Sequence, residues 1–219
     1  MPESGTVFVV DDDASVRKAL GRLLEAAGFE VEKFETAEQF LARKEFSGLG
    51  CVIVDLRLPG LDGLGLQRKL RDARAELPVV FLSGHANVPT SVEGMKGGAI
   101  DFLTKPVDEQ ALLAAVTEAL DHHHRVLEQS RLVRSFAEHL AQLTPREFEV
   151  LREVITGRLN KQIAARLGIA EKTVKVHRGR VMMKLEVSSV AELVRLCSAG
   201  GVKPASRAGN GAREQPLVD

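Results

Sequence analysis

Cys51-Val-Ile-Val54, followed at once by Asp55 and by the turn-rich Leu58-Pro-Gly-Leu-Asp-Gly63, is the stretch whose reading decides the fold. It is a short apolar run of strand character that ends on a carboxylate. Three further runs have the same form: Val7-Phe-Val-Val10 before Asp11-Asp12-Asp13, Val79-Val-Phe-Leu82 before Ser83, and Ala99-Ile-Asp-Phe-Leu103 before Thr104-Lys105. If these runs are parallel strands, their polar ends gather at one edge of a sheet, the edge where open α/β sheets bind ligands. Carboxylates crowded there stay ionised only around a cation, and an all-oxygen donor set suits Mg²⁺. With a hydroxyl (Ser83) and an ammonium (Lys105) opposite, Asp55 can then hold a phosphoryl group, because the cation and the lysine offset charge on its oxygens.

Working outward, strand-like runs alternate with helical patterns five times from Thr6 to about Leu120, which implies βα units around a parallel sheet. The first helix, about Ala14 to Ala27, aligns Val16, Leu20, Leu23 and Leu24 and stops at Gly28. A second strand is expected at Glu30 to Phe34, and Thr36-Ala-Glu-Gln39 is a capping box that starts the second helix. A third helix lies around Leu64 to Arg74. Gly84-His-Ala-Asn-Val-Pro89 leads into a short fourth helix ending before Gly97-Gly98. Residues 122–141 read as a helical linker. Its seven-residue spacings, Val126/Val133/Leu140 and Phe136/Leu143, fit either a partner-facing seam or packing on the chain's own domain.

A second domain, residues 142–201, opens with Thr144-Pro-Arg-Glu147, a capping box with Pro at the first helical position. Helices at Asn160 to Gly168 and Glu171 to Leu185, joined by a tight glycine turn, have helix-turn-helix spacing, and Ser189-Val-Ala-Glu192 caps a fourth helix. Residues 202–219 show no periodic apolar face and are expected to be disordered.

The formal net charge of zero hides an asymmetry: residues 1–121 hold 13 Lys+Arg against 20 Asp+Glu, and residues 122–219 hold 17 against 10. The first half suits cations and the second suits polyanions. No apolar run is long enough to span a bilayer and Met1 to Gly5 lacks a secretory pattern, so a cytoplasmic location without membrane contact is expected. Cys51 and Cys197 form neither a disulfide framework nor a metal pattern and read as small buried residues.

The ordered set over residues 6–120 resembles the receiver domain of bacterial two-component response regulators. It comprises an acidic pair after strand one, Asp55 after strand three, Ser83 after strand four and Lys105-Pro106 after strand five. The resemblance implies a five-stranded, doubly wound parallel (βα)5 sheet joined by the linker to an all-α, four-helix helix-turn-helix domain. It also implies that Asp55 is the phosphoryl acceptor, that Asp12 is the direct Mg²⁺ ligand with Asp11 acting largely through water, and that the Arg57 backbone carbonyl completes the set. Lys105 would bridge to the phosphoryl group through a loop whose bond to Pro106 is cis. Ser83 would be the switch hydroxyl, and Phe102, where many relatives carry Tyr, either the switch aromatic or plain core. Asp13 reads better as the N-cap of the first helix. Pairing through the fourth helix and fifth strand, at Val88, Val92, Met95, Lys96 and Asp101, is carried over from the same family.

Leu143-Thr-Pro-Arg-Glu147, Lys161-Gln-Ile-Ala and Leu167-Gly-Ile-Ala-Glu-Lys-Thr-Val-Lys-Val-His177 resemble the DNA-binding domain of the LuxR/FixJ/NarL class. Val176-His-Arg-Gly-Arg-Val-Met-Met-Lys184 resembles its FixJ branch. By helical phase Lys172, Lys175, Val176 and Gly179 share a face, while Val174, Val181 and Leu185 face a core. Lys175 and Val176 are the candidates for base edges; Lys161, Lys172, Thr173, His177 and Lys184 are those for phosphate or register. Val187, Val190 and Val194 on the last helix read as a dimer seam or as core.

The resemblance implies a DNA-binding response regulator. A sensor histidine kinase phosphorylates Asp55, the receiver switches and forms a homodimer, and promoter DNA is bound, with activation and contact to RNA polymerase as the family habit. Two other readings carry different signatures. A Mg²⁺-dependent phosphohydrolase using Asp55 would need an acid where Arg57 stands. A purely structural first domain would leave DNA binding constitutive.

Overall fold

The computed structural model describes residues 5–44, 46–73, 75–84 and 88–206. The chain divides into two compact units, 1–128 and 129–219.

In the first unit, β1 (Thr6–Val10), β2 (Glu30–Phe34), β3 (Gly50–Asp55), β4 (Val79–Ser83) and β5 (Asp101–Thr104) form one sheet of order β2-β1-β3-β4-β5, parallel at every pairing. This is a doubly wound order whose direction switches between β1 and β3. Between the strands run α1 (Ala14–Ala26), α2 (Ala37–Leu41), α3 (Gly63–Asp72) and α4 (Val88–Lys96), and α5 (Glu109–Ala141) follows β5.

Strand side chains alternate between faces, and the core divides accordingly. Phe8, Val10, Val52, Val54, Val79 and Phe81 enter one cluster with Phe40, Leu66 and Leu70. Val7, Val9, Cys51, Ile53, Val80 and Leu82 enter the other with Leu20, Leu24, Leu112 and Val116. Because both faces are covered, the central strands read as unbroken apolar runs. β5 is shorter than expected: Ala99 and Ile100 lie before it.

Local chemistry sets the helix starts. Asp13 caps α1, accepting from the Ser15 and Val16 amides at 2.7 and 3.3 Å, and Thr36 caps α2 by accepting from Gln39 N. At Gly63 a Cβ would come within 2.6 Å of the Asp55 carbonyl oxygen, so the turn after β3 requires glycine there. The expected N-terminal flank of α4, His85 to Asn87, lies outside the described residues, as does Arg74.

The second unit contains α6 (Pro145–Val154), α7 (Asn160–Leu167), α8 (Glu171–Lys184) and α9 (Val190–Ala199). Gly168, at φ 65°, makes the left-handed turn between α7 and α8. Val150, Leu151, Val154, Ile163, Val174, Val181, Leu185, Leu193 and Cys197 form the core.

Two expectations meet the structure differently. The helical linker expected over residues 122–141 is the later part of α5, which runs unbroken through them. Phe136, on its later part, is 3% exposed in the second unit's core, with Leu140 and Leu143 packed against the same cluster. The Phe136/Leu143 spacing is therefore a packing stripe of the chain's own unit. The expected disorder from residue 202 is overturned as far as Ser206. Val202 is half-buried against the core, its N–H donates to the Cys197 carbonyl, and residues 203–206 bond to α6 and α7. Residues 207–219 lie outside the described residues.

Candidate functional site

The ends of β1, β3, β4 and β5 place Asp11, Asp55, Ser83 and Lys105 at one edge of the sheet. Asp11 and Asp55 follow or end neighbouring strands at the switch point, and Asp12 is next in chain. Carboxylate oxygens of Asp11, Asp12 and Asp55 lie within 4.8 Å of one another. Asp11 and Asp55 are buried and Asp12 is exposed.

The Lys105 ammonium, arriving from the loop after β5, donates to Asp11 Oδ2 at 2.5 Å and also to Asp55 Oδ2. The other oxygens are held by backbone: Asp55 Oδ1 accepts from Arg57 N at 2.8 Å, and Asp11 Oδ1 from Asp13 N at 3.0 Å. Burial raises the Asp11 carboxyl above its usual value, against the lowering effect of the Lys105 and Asp13 hydrogen bonds. Burial alone would lower the Lys105 ammonium, but the bonds to Asp11 and Asp55 and their charges outweigh it, and the net shift is upward. The site holds an all-oxygen donor set whose negative charge one ammonium offsets only in part. That chemistry fits a hard divalent cation.

Ser83 is 1% exposed at the end of β4, and its carbonyl accepts from Lys105 N at 2.8 Å, tying the two loops together. The Lys105-Pro106 bond is cis. Phe102 is half-buried, tilted against Phe81 at 6.1 Å between ring centroids, so part of the ring belongs to the core. Arg57 is exposed. Sequence reasoning missed Arg17, whose guanidinium donates to the Asp11 carbonyl at 2.6 Å. A cation one turn into a helix that follows an acidic run was the available signal.

In the second unit Lys161, Lys172, Thr173 and Lys175 are exposed. Val176 is 47% exposed, and a Cβ on Gly179 would meet nothing within 4 Å. The opposite side of α8 buries Val174 and Val181, as the helical phase requires. His177 is half-buried, and its Nδ1 is enclosed without a hydrogen-bond partner.

Lys184 requires reassignment. Its ammonium donates to Glu147 Oε2 at 2.7 Å and to the Gln142 carbonyl at 3.1 Å. Glu147 in turn completes the capping box with Thr144, which the sequence did reveal. Lys184 thus clamps the end of α8 to the start of α6, an internal role that competes with any phosphate contact. Val187 is core, 7% exposed, whereas Val194 remains 41% exposed.

An acidic, lysine-bridged edge on a doubly wound parallel sheet, followed by a helix-turn-helix with a cation-bearing second helix, defines a two-module regulator that couples a receiver to a DNA reader. Residues 7–117 match the response regulator receiver domain, and residues 141–197 match the bacterial regulatory proteins of the luxR family. The chain is 42% identical to nodulation protein W of Bradyrhizobium diazoefficiens over 90% of this chain and 86% of that protein. It is 41% identical to the transcriptional regulatory protein FixJ of Azorhizobium caulinodans over 95% of this chain and 99% of that one. The solved structure of the response regulator StyR aligns with a TM-score of 0.75 at 46% identity, covering 89% of this chain and 98% of that one. The chain belongs to the LuxR/FixJ family of two-component response regulators, DNA-binding transcriptional regulators rather than enzymes acting on external substrates.

Both cysteines are free and buried, and burial pushes the Cys51 thiol up to about 12 and the Cys197 thiol to about 11. Neither forms a thiolate at neutral pH. Among the described residues no helix is long and apolar enough to cross a membrane.

Proposed function

We propose that Asp55 is the residue through which this regulator is switched, accepting a phosphoryl group from the phosphohistidine of a sensor histidine kinase. A carboxylate oxygen of Asp55 attacks phosphorus, the P–N bond breaks, and its electron pair stays on the imidazole as the O–P bond forms. The Lys105 ammonium, already bonded to the Asp55 carboxylate, is placed to neutralise a phosphoryl oxygen. The Arg57 amide holds the other Asp55 oxygen and so orients the attack. Asp11, Asp12, Asp55 and the Arg57 carbonyl would hold Mg²⁺, which supplies further neutralisation of charge on the transferred group. The observation that carries this reading is the convergence, from the ends of three strands, of three carboxylates within 4.8 Å of one another and one ammonium bonded to two of them.

Once Asp55 carries the phosphoryl group, Ser83 turns its hydroxyl toward it and Phe102 follows inward. The signal is read as homodimerisation on the face of α4 and β5. Support comes from three apolar side chains left in solvent on α4: Val88 at 77%, Val92 at 44% and Met95 at 46% exposure. The paired second units then bind promoter DNA, with Lys175 and Val176 at base edges and Lys161, Lys172, Thr173 and His177 on phosphates or fixing register. The protein works in the cytoplasm, and contact with RNA polymerase completes activation.

The test is labelling of the full chain by acetyl phosphate with Mg²⁺, followed by sedimentation and DNA binding. Label on Asp55, lost with EDTA and accompanied by a monomer-to-dimer shift, is expected. Label that persists in Asp55→Asn overturns the acceptor assignment.

A further inference from the structure

Residues 202–206, after the last helix, are held more firmly than their composition suggests. At Gly201 (φ 71°) the chain reverses, and Val202 N–H returns to the Cys197 carbonyl at 2.8 Å while its side chain meets the core. The next residues cross the ends of two other helices. Arg152 Nε donates to the Lys203 carbonyl at 3.1 Å, Ala205 N–H donates to the Arg152 carbonyl at 3.0 Å, and Arg166 Nη2 donates to the Ser206 carbonyl at 2.9 Å.

Each of these bonds answers a need of the helix it meets. The Arg152 carbonyl lies in the last turn of α6, where intrahelical donors run out, because Ile155 N–H goes to Leu151 and Thr156 N–H to Glu153. Arg166, near the end of α7, uses its Nε on Glu153 Oε1 at 3.0 Å, while Arg158 takes Glu153 Oε2 at 2.7 Å. Glu153 is 4% exposed, so this charge depends on both guanidinium groups. The segment 202–206 therefore bonds one guanidinium of a buried charge cluster and one terminal carbonyl of α6, and so joins α6 to α7.

α7 precedes the helix that meets DNA, and is fixed to it by Arg178 Nη1 on Asn160 Oδ1 at 3.1 Å. Two arginines thus hold α7 at opposite ends: Arg178 ties its start to α8, and Arg166 ties its end to α6 and the C-terminal segment. We propose that Val202–Ser206 is a clasp that sets the orientation of α7 and thereby of α8, making this segment a positioning element for sequence recognition. The inference rests on α8 being the recognition helix.

The test uses the full chain and a 20-base-pair duplex enriched by it from a random library, compared at one salt concentration with poly(dI-dC). Ala205→Pro removes the N–H given to Arg152 and fixes the local φ, and Ala205→Ser keeps the N–H. The expected result is a loss of about tenfold or more in preference for the enriched duplex in Ala205→Pro, with poly(dI-dC) binding changed less than twofold and Ala205→Ser unchanged. Truncation after Ser206 should bind like the full chain, and truncation after Gly201 should reproduce Ala205→Pro. Equal loss on both DNAs would reduce the segment to simple stabilisation and overturn the proposal, as would unchanged preference. Lys175→Ala separates the two readings: if it too leaves preference intact, the α8 assignment fails, whereas if it alone acts, only the clasp fails.

Discussion

Lys105 Nζ stands 2.5 Å from Asp11 Oδ2 and also bonds Asp55, so one ammonium bridges the two buried carboxylates that end neighbouring strands. Removing it takes away the ammonium bonded to two of the three carboxylates. Lys105→Ala should therefore bind Mg²⁺ more tightly, by roughly three- to tenfold, since one less positive charge at about 4–6 Å is worth on the order of 1 kcal/mol in a solvated site. The same variant should lose most of its response to phosphorylation. Calorimetric titration with MgCl₂ checks the first effect; weaker binding would mean that the lysine organises the carboxylates more than it repels the ion.

Asp12→Ala should act in the opposite direction. Asp12 is exposed and its carboxylate lies within 4.8 Å of the other two, so its loss removes a candidate ligand without opening a core cavity. The expected outcome is a large fall in Mg²⁺ affinity and in acetyl-phosphate labelling with an unchanged thermal melt. A lowered melting temperature would point to a structural role instead.

Glu147 gives the second unit a defined acid response. The Lys184 hydrogen bond, then the Thr144 amide, lower its carboxyl from 4.5 to about 2. A depressed carboxylate stabilises the fold above its unfolded pKa and loses that contribution as pH falls, here between about 4.5 and 2. After allowance for solvent around the Lys184 end of the pair, about 1–2 kcal/mol is at stake. Glu147→Gln should flatten the pH dependence of urea unfolding in that window and lower stability at pH 7, where the charged pair is intact in the parent. Equal slopes in parent and variant would remove Glu147 from the acid response.

Much of this was legible in the sequence because parallel strands covered on both faces read as unbroken apolar runs. Asp11, Asp55, Ser83 and Lys105 each sit where such a run ends, so their convergence followed from topology alone. Asp13, Thr36, Thr144 and Gly168 were readable for a related reason: capping and left-handed turns depend on residues within a few positions. What escaped depends on distant partners. Nothing local tells that Lys184 faces Glu147 and not solvent, that Glu153 gathers Arg158 and Arg166, or that Ala205 donates its N–H to the Arg152 carbonyl of α6. Polar composition signalled disorder after residue 201 because main-chain hydrogen bonds leave no side-chain pattern.

Binding to DNA should separate the cations of the second unit by what they touch. Lys175→Ala, on the exposed face of α8 beside Val176, should lower the ratio of specific to non-specific affinity, by an amount corresponding to about 1–3 kcal/mol. Lys161→Ala, exposed near the start of α7, should weaken binding to all sequences alike and reduce the slope of log K against log salt by about one. Lys184→Ala should lower the melting temperature and leave that slope unchanged, because its ammonium is occupied by Glu147. A salt slope lowered in Lys184→Ala would return that residue to the DNA-contact set.

The strand that presents Asp55 is anchored at its other end by a titratable ring. Gly50 N–H, the first amide of β3, donates to His123 Nδ1 on α5 at 3.0 Å, which requires the neutral ring. Burial lowers the pKa of His123, against the opposing charge of Glu76. The folded state therefore holds fewer protons than the unfolded state just below the ordinary value of 6.5. The contribution of His123 is complete above that value and is lost as pH falls through the lower folded one. Hydrogen exchange of the peptide that begins β3, corrected for intrinsic rates, should speed up in the parent as pH falls below 6.5. His123→Gln offers an amide oxygen to the same N–H without titrating, so the variant should show little of that acceleration. An identical pH dependence in both would remove His123 as the acid-sensitive anchor of β3.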